Sequence, residues 1–239
     1  MRTTKLLVIN PVGHSTWDEQ DKKIYKRFAP RSQMTVVSLP KGPSSVETCQ
    51  AHRQVIPLII ELAKKMNRDF DALVVNCFLD PAVHALKKML TRPVVGPCEA
   101  SLAVASIIGM RIGIVTVHGE ALSMIRNKVR QLDPHRKVKA ITGIPMGVLD
   151  LNEDLDQTKQ RVVEEVKRLR DNRRVDVICL GCTGLGGLAR FAQQAVGIPV
   201  IDPIGAAVEL ARVAVDLNLY TSSPAQSRQI AIAETEMIS

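Results

Sequence analysis

The chain alternates short apolar runs with longer amphipathic stretches. Eight apolar runs end in turn residues, and they span residues 5–10, 34–39, 72–76, 93–95, 111–117, 138–144, 175–180 and 199–201. Short, continuous apolar runs are typical of parallel strands that are buried on both faces. The stretches between them, such as 55–62 and 161–169, repeat apolar residues with the period of a helix. This pattern predicts an α/β fold built on parallel sheet.

The second half of the chain repeats the spacing of apolar runs, cysteines and prolines found in the first. Residues 71–77 read DALVVNC and residues 176–182 read DVICLGC, two segments of equal length that lie 105 residues apart (182 − 77 = 105). Pro40 and Pro145 keep the same offset, and PVVGP at 93–97 corresponds to PVIDP at 199–203 with a slip of one residue. We therefore predict two similar lobes related by a pseudo-twofold, each with a parallel sheet flanked by helices. The first lobe is expected to comprise residues 1–97 plus 204–239, and the second residues 98–203.

A cysteine follows an equivalent strand in each half. Cys77 and Cys182 come directly after apolar runs and before segments that can start a helix. Open α/β sheets bind ligands at the carboxyl ends of their strands, so two facing lobes would bring both thiols into one cleft. The alternative is that a duplicated fold simply repeats a small buried residue, because cysteine is common in protein cores. The position at a strand end favours a functional role.

Paired thiols are suited to inverting a carbon centre. A free cysteine has a pKa of about 8.5, and a helix N-terminus or a nearby cation lowers it. We expect one thiolate to remove a proton from one face of the carbon while the other thiol protonates the opposite face. Backbone N–H groups in the two turns would stabilise the enolate charge, so the chemistry requires no metal and no cofactor. The glycines of the second turn either allow close approach of a ligand or simply permit a tight turn: Gly181, Gly184, Gly186 and Gly187.

The other cysteines do not suggest a second chemistry. An odd count of five argues against a disulfide framework. Cys179 lies inside an apolar run and is interpreted as core, although its spacing to Cys182 matches a redox CxxC pair. Cys49 and Cys98 are assigned no catalytic role, and the five histidines lack the paired spacing of a zinc site.

Composition limits the classes of partner. The formal net charge is +8, but aromatic residues make up only 3% of the chain and no nucleic-acid-binding motif accompanies the charge. The basic clusters fall on predicted helices, where solvated faces explain them. The N-terminal apolar run is too short for a signal peptide, and no run is long enough for a membrane span. We therefore expect a cytoplasmic protein with a small-molecule substrate and no nucleic-acid or membrane partner.

Five short motifs occur in the order found in hydantoin racemases: Val8-Ile9-Asn10-Pro11, Gly42-Pro43-Ser44-Ser45-Val46-Glu47, Cys77-Phe78-Leu79-Asp80-Pro81, Pro93-Val94-Val95-Gly96 and Leu180-Gly181-Cys182-Thr183-Gly184-Leu185. The chain resembles this branch of the Asp/Glu/hydantoin racemase superfamily from about Lys5 to about Ser222. The resemblance implies a two-lobed, frequently oligomeric fold in which Cys77 and Cys182 form the acid and base pair. It implies no cofactor, and a substrate that is a 5-substituted hydantoin or allantoin.

The resemblance also implies a set of substrate-binding residues. Asn10 and Pro11 would border the pocket, Ser44 and Ser45 would offer polar contacts, and Phe78, Leu79, Thr183 and Gly184 would form the turns beside the thiols. Thr116 and Pro145 would add lining from the ends of second-lobe strands. The chain departs from the family pattern after Pro11, at Leu79 and Ala82, and at Cys98, which leaves the substrate open.

Several activities therefore compete at this stage. An aspartate or glutamate racemase is the nearest rival, but a free amino acid would call for cations around its carboxylates, and the motif turns contain no Arg or Lys. Maleate cis-trans isomerisation would use both thiols, whereas arylmalonate decarboxylation would need only the second. A protein that binds a metabolite without converting it is the alternative from a different class.

Overall fold

The computed structural model describes residues 3–66 and 70–219, in which eight parallel strands alternate with eight α-helices. The strands are β1 (Lys5–Asn10), β2 (Gln33–Ser38), β3 (Ala72–Val75), β4 (Val94–Val95), β5 (Ile112–Val117), β6 (Val138–Ile144), β7 (Val177–Leu180) and β8 (Val200–Ile201). The helices are α1 (Asp18–Phe28), α2 (Cys49–Lys65), α3 (Val83–Met89), α4 (Pro97–Ile108), α5 (Glu120–Leu132), α6 (Leu155–Arg173), α7 (Ala189–Val196) and α8 (Pro203–Asp216). Each strand coincides with a predicted apolar run, and the ends differ by at most two residues.

The strands form two four-stranded parallel sheets with the same connectivity. Their orders are β2-β1-β3-β4 and β6-β5-β7-β8, so each strand of the first sheet has its counterpart in the second. Equivalent carboxylates hold equivalent strand starts, because Asp71 accepts from the N–H of Lys5 at 2.8 Å and Asp176 accepts from the N–H of Arg111 at 2.9 Å. The predicted duplicated α/β fold class is confirmed.

Helices α4 and α8 cross between the two halves. Helix α4 packs against β7 and β8 of the second sheet, whereas α8 packs against β3 and β4 of the first, and the two helices also contact each other. The chain therefore enters and leaves the second sheet next to the junction of the halves. The lobe boundaries at 97/98 and 203/204 stay predictions, and residues 220–239 of the first predicted lobe lie outside the described residues.

The helices are amphipathic and pack on the sheets through one face. In α2, Val55, Ile59 and Ala63 are buried, while Glu61 and Lys64 of the same helix face solvent. Such helices gain most of their stability from packing the apolar face. None of the helices within the described ranges combines the length and apolar character that crossing a membrane requires.

Candidate active site

Cys77 and Cys182 line the same cavity. Each thiol lies two residues beyond the end of its strand, β3 or β7, and each is half-buried. The cavity is lined from both halves of the chain and has a volume of about 90 Å³. At about 15 Å³ for each water, it has room for roughly six water molecules, the size of a small organic ligand.

Ten of the twelve predicted site residues line this cavity: Asn10, Pro11, Ser45, Cys77, Phe78, Leu79, Thr116, Cys182, Thr183 and Gly184. Ser44 and Pro145 do not. Ser44 is exposed, and its carbonyl oxygen lies 3.0 Å from Nε2 of His14, away from the cavity. Pro145 is exposed directly after β6, which is the edge strand of its sheet, and Val148 further along this loop reaches the cavity instead.

Main-chain N–H groups surround both sulfur atoms. The N–H of Leu79 hydrogen-bonds to Cys77, and the N–H groups of Gly184 and Leu185 hydrogen-bond to Cys182. These contacts favour the thiolates, but burial has the larger effect and raises the pKa to about 12 for Cys77 and about 11 for Cys182. The expectation that a helix N-terminus lowers these pKa values is therefore wrong. Helices α3 and α7 begin only at Val83 and Ala189, too far along the chain from the thiols to act on them strongly.

The two thiols also influence each other. A negative charge on Cys182 raises the pKa of Cys77, so the sulfur atoms are close enough for ionisation of one to oppose ionisation of the other. Lys128 of α5 favours the Cys77 thiolate, whereas Glu47 disfavours the Cys182 thiolate. The charges around the two sulfur atoms therefore differ.

A polar network lies under the first-lobe side of the cavity. Asp21 Oδ2 accepts from Asn10 Nδ2 at 2.9 Å and from Asn76 Nδ2 at 3.2 Å, and Asn76 Oδ1 accepts from the Tyr25 hydroxyl at 2.9 Å. Asn10 Nδ2 also donates to Asp18 at 2.8 Å. Burial of Asp21 raises its pKa to about 6. The network holds Asn76, the residue before Cys77, in a fixed orientation.

Asp21, Asn76 and Glu47 line the cavity but were not among the predicted site residues. Asn76 belongs to the repeated segment 71–77, directly before Cys77, and Glu47 ends the motif that begins at Gly42. Asp21 lies in the departing segment after Pro11, on a charged helix that gives it no distinguishing signal. Only the fold reveals that this residue lines the cavity.

Glu47 joins the two halves of the cavity wall. Its Oε2 accepts from the Ser45 hydroxyl at 2.7 Å, and its Oε1 accepts from the main-chain N–H of Val148 at 2.7 Å. Both oxygens are therefore engaged within the protein. Glu47 fixes the loop before α2 to the loop after β6, and so closes one side of the cavity.

A buried carboxylate fastens each thiol turn to a helix N-terminus. Asp80 of the first turn accepts from the N–H groups of Cys98 and Glu99 in α4, at 2.9 and 3.0 Å. In the second half the carboxylate belongs to the helix, because Asp202 at the start of α8 accepts from the N–H of Gly187 at 2.6 Å. Gly187 has φ +86°, a conformation that glycine adopts without strain.

The remaining cysteines lie away from this chemistry. Cys179 is fully buried, which confirms its assignment to the core, and Cys98 is equally buried. Cys49 is exposed at the start of α2. Within residues 3–66 and 70–219, no three His, Cys, Asp or Glu side chains cluster closely enough to hold a metal ion.

Comparisons with known proteins agree with this geometry. The family profile described as Asp/Glu/Hydantoin racemase matches residues 6–211. A hydantoin racemase of Pseudomonas sp. (strain NS671) is 34% identical over 91% of this chain and 88% of its own length. The solved structure of allantoin racemase from Pseudomonas fluorescens is similar with a TM-score of 0.87 at 25% identity, covering 91% of this chain and 93% of that one. Allantoin racemase from Klebsiella pneumoniae also gives 0.87, at 27% identity over 92% and 91% of the two chains.

The match extends over both strand-end cysteines and both sheets, and it confirms the resemblance to the hydantoin racemase branch. The chain therefore belongs to the Asp/Glu/hydantoin racemase family.

Proposed function

We propose that this protein is a cofactor-independent racemase or epimerase that inverts a carbon next to a carbonyl group through Cys77 and Cys182. The preferred substrate class is a 5-substituted hydantoin or the related ureide allantoin. The observation that carries the proposal is that both thiols line one small cavity from opposite halves of a duplicated fold. The similarity to hydantoin and allantoin racemases supports the same substrate class.

The reaction requires one thiolate and one thiol. The thiolate takes the proton from the substrate carbon, and the electron pair of the broken C–H bond moves into the neighbouring carbonyl as an enolate. The second thiol then donates its proton to the opposite face of the carbon and becomes the new thiolate. The two cysteines have exchanged protonation states, so the enzyme is then ready for the opposite enantiomer, and proton exchange with solvent restores the original state. We assign the enolate oxygen to main-chain N–H groups of Phe78 and Thr183, which follow the thiols and line the cavity.

The charged residues that line the cavity disfavour the alternative activity, racemisation of aspartate or glutamate. Asp21 and Glu47 line it, and no Lys or Arg side chain does so within the described residues. A free aspartate or glutamate, or the dicarboxylate maleate, would place its carboxylates beside these acidic groups without a compensating cation. A neutral hydantoin ring avoids that repulsion. Retention of both thiols further disfavours a decarboxylase that needs only one.

The test is loss of optical rotation with enantiopure 5-substituted hydantoins. We expect Cys77→Ser and Cys182→Ser each to lower the racemisation rate at least 100-fold, the usual scale of losing an acid or base. Cys49→Ser is the matched control, since it makes the same change at an exposed site outside the cavity. Full activity in both cavity variants would contradict the two-thiol mechanism.

Proton exchange in deuterated water separates an enzyme from a binding protein. We expect deuterium to enter the inverted product, and each serine variant to keep residual exchange with only one enantiomer. The enantiomer that still exchanges identifies the face served by the remaining thiol. A complete absence of exchange with hydantoins, allantoin and acidic amino acids would instead favour a protein that binds a metabolite without converting it.

Assembly and location belong to the same proposal. By similarity to the family we propose a homo-oligomer in the cytoplasm. Light scattering on the purified protein checks the mass in solution, and cell fractionation checks the compartment. A monomer at working concentrations would contradict the first statement without affecting the mechanism.

A further inference from the structure

Asp21 places a carboxyl group on the cavity wall opposite an apolar surface. Helix α1 contributes Gln20, Asp21 and Ile24 to the lining, whereas the equivalent helix of the second half, α5, contributes only Ala121 and Ile125. The two halves of the fold are duplicated, but the cavity they enclose is therefore chemically unequal. This inequality gives the site a means of choosing among substrates that present the same reacting carbon.

The Asp21 carboxyl is held in place by two amides. Asn10 Nδ2 and Asn76 Nδ2 both donate to Oδ2, at 2.9 and 3.2 Å, and Asn76 is itself fixed by the Tyr25 hydroxyl. No hydrogen bond to Oδ1 is present among residues 3–66 and 70–219. The second oxygen is therefore available to an N–H donor of a ligand, at a position that the amides determine in advance.

The cavity offers little to balance an additional negative charge. Glu47 is the other carboxylate of the lining, and the Ser45 hydroxyl and the Val148 N–H already occupy it. The lining within the described residues contains no Lys or Arg. Like charges brought together in a partly buried site repel each other, whereas a hydrogen bond from a neutral N–H to a carboxylate is favourable.

We infer that Asp21 is a specificity-determining residue that rejects substrates bearing an anionic substituent and accepts a hydrogen bond from those bearing a neutral N–H donor. The inference rests on the proposed racemase function and refines its substrate class. It selects amide- and ureido-bearing substituents over carboxylates of the same shape.

Two isosteric substrates test this selection. The hydantoin derived from asparagine carries a carbamoylmethyl group at C5, and the hydantoin derived from aspartate carries a carboxymethyl group of nearly the same size. We expect the wild-type kcat/KM for the amide to exceed that for the carboxylate at least 100-fold at neutral pH. In Asp21→Asn we expect this ratio to fall at least tenfold, mainly because the carboxylate substrate is no longer repelled.

The control is Glu19→Gln, which removes an exposed carboxylate of the same helix that does not line the cavity. Its substrate ratio should stay within about twofold of wild type, a change worth less than 0.5 kcal/mol. A wild-type ratio near one, or an equal ratio in wild type and Asp21→Asn, would overturn the inference. Circular dichroism and the rate with 5-methylhydantoin show whether Asp21→Asn retains the fold and the basal reaction.

Binding measurements separate the inference from the proposed function. Calorimetry with the same two compounds gives a ratio of Kd values that does not depend on turnover. If neither compound is racemised but the amide still binds at least tenfold more tightly, and Asp21→Asn abolishes that preference, the proposed function fails and the selectivity of Asp21 stands. If both compounds are racemised and bind equally well, the proposed function stands and the role of Asp21 is overturned.

Discussion

The hydroxyl of Thr183 donates to the main-chain carbonyl of Asn76 at 3.3 Å, which connects the residue after one thiol to the residue before the other. Thr183 begins the 3₁₀ turn Thr183–Leu185 of the second half, whereas Asn76 directly follows β3 of the first. This hydrogen bond joins the two halves of the fold at the cavity wall. It links the positions of Cys77 and Cys182 directly, without an intervening helix or sheet.

Removing that hydroxyl should separate the thiols slightly. We expect Thr183→Val to lower kcat/KM about tenfold, because a proton-transfer pair depends steeply on distance. The free energy of unfolding should fall by about 1 kcal/mol, the usual net worth of one hydrogen bond. Thr183→Ser keeps the donor and serves as the control in both the kinetic and the urea unfolding assays. Equal activity of the valine and serine variants would show that the connection does not position the thiols.

The raised thiol pKa values predict an alkaline rise in activity. Because burial holds the pKa of Cys77 near 12 and that of Cys182 near 11, the reactive thiolate is a minor form at pH 7. Its population grows about tenfold with each pH unit below these values, so log kcat/KM should rise with a slope near one between pH 7 and 10. The base-catalysed background, which also rises with pH, is measured without enzyme and subtracted. A plateau already reached at pH 7 would mean that a thiol ionises near neutrality.

Asp80 and Gly96 should show strong energetic coupling. A Cβ added to Gly96 would lie only 2.2 Å from the Asp80 carboxyl carbon, so Gly96→Ala must displace the group that holds the start of α4. We expect a loss of about 2–4 kcal/mol in the free energy of unfolding, compared with about 1–2 kcal/mol for Asp80→Ala, which removes the cap alone.

The double variant tests the contact itself. Gly96→Ala with Asp80→Ala should cost at least about 1 kcal/mol less than the sum of the single changes, because the clash disappears with the carboxylate. Strict additivity in urea unfolding would contradict the geometry of this contact.

Asp21 should make the stability of the protein depend on pH. Its folded pKa of about 6 lies above the ordinary carboxyl value, so its contribution to stability is present at low pH and is lost as the pH rises from about 4 to about 6. Few charged groups surround Asp21. Asp18 of the same helix raises its pKa, and the side chains that contact it from β1 and from the residue after β3 are the neutral amides of Asn10 and Asn76.

The measurement compares wild type with Asp21→Asn across this range. The difference in the free energy of unfolding should shift in favour of the variant by roughly 2.4 kcal/mol between pH 4 and pH 7. Asp80, whose pKa is raised to about 7, titrates in both proteins and cancels from the difference. A constant difference across the range would mean that Asp21 ionises as an ordinary surface carboxyl.

The sequence predicts the strands and turns that form the site more fully than it predicts the pKa values of the residues in it. The offset of 105 residues between Cys77 and Cys182, and the apolar runs before them, were sufficient to predict two parallel sheets and a shared thiol cavity. The apolar runs and the turn residues that end them are local features of the sequence, and the strands of the structure coincide with these runs. Pro145 does not line the cavity, because a position at the end of an edge strand does not fix the path of the loop beyond it.

The thiol pKa values and Asp21 could not be derived in the same way. Whether a thiolate is favoured depends on the balance between burial and hydrogen bonds, and only the fold shows how deeply Cys77 and Cys182 are enclosed. Asp21 belongs to a charged helix whose pattern predicts a solvated face. Its approach to Asn76 spans 55 residues of sequence, and no local signal records a contact at that separation.

The two carboxylates that connect the thiol turns to helix N-termini occupy different places in the repeat. Leu185 stands at the position equivalent to Asp80, and Asp202 stands at the position equivalent to Gly96. The carboxylate thus lies in the thiol turn in the first half and at the start of the helix in the second. An acid at Gly96 would collide with the Asp80 carboxyl, and a glycine at Asp202 would remove the cap of α8. The two thiol turns are therefore not interchangeable, although the two sheets have the same connectivity.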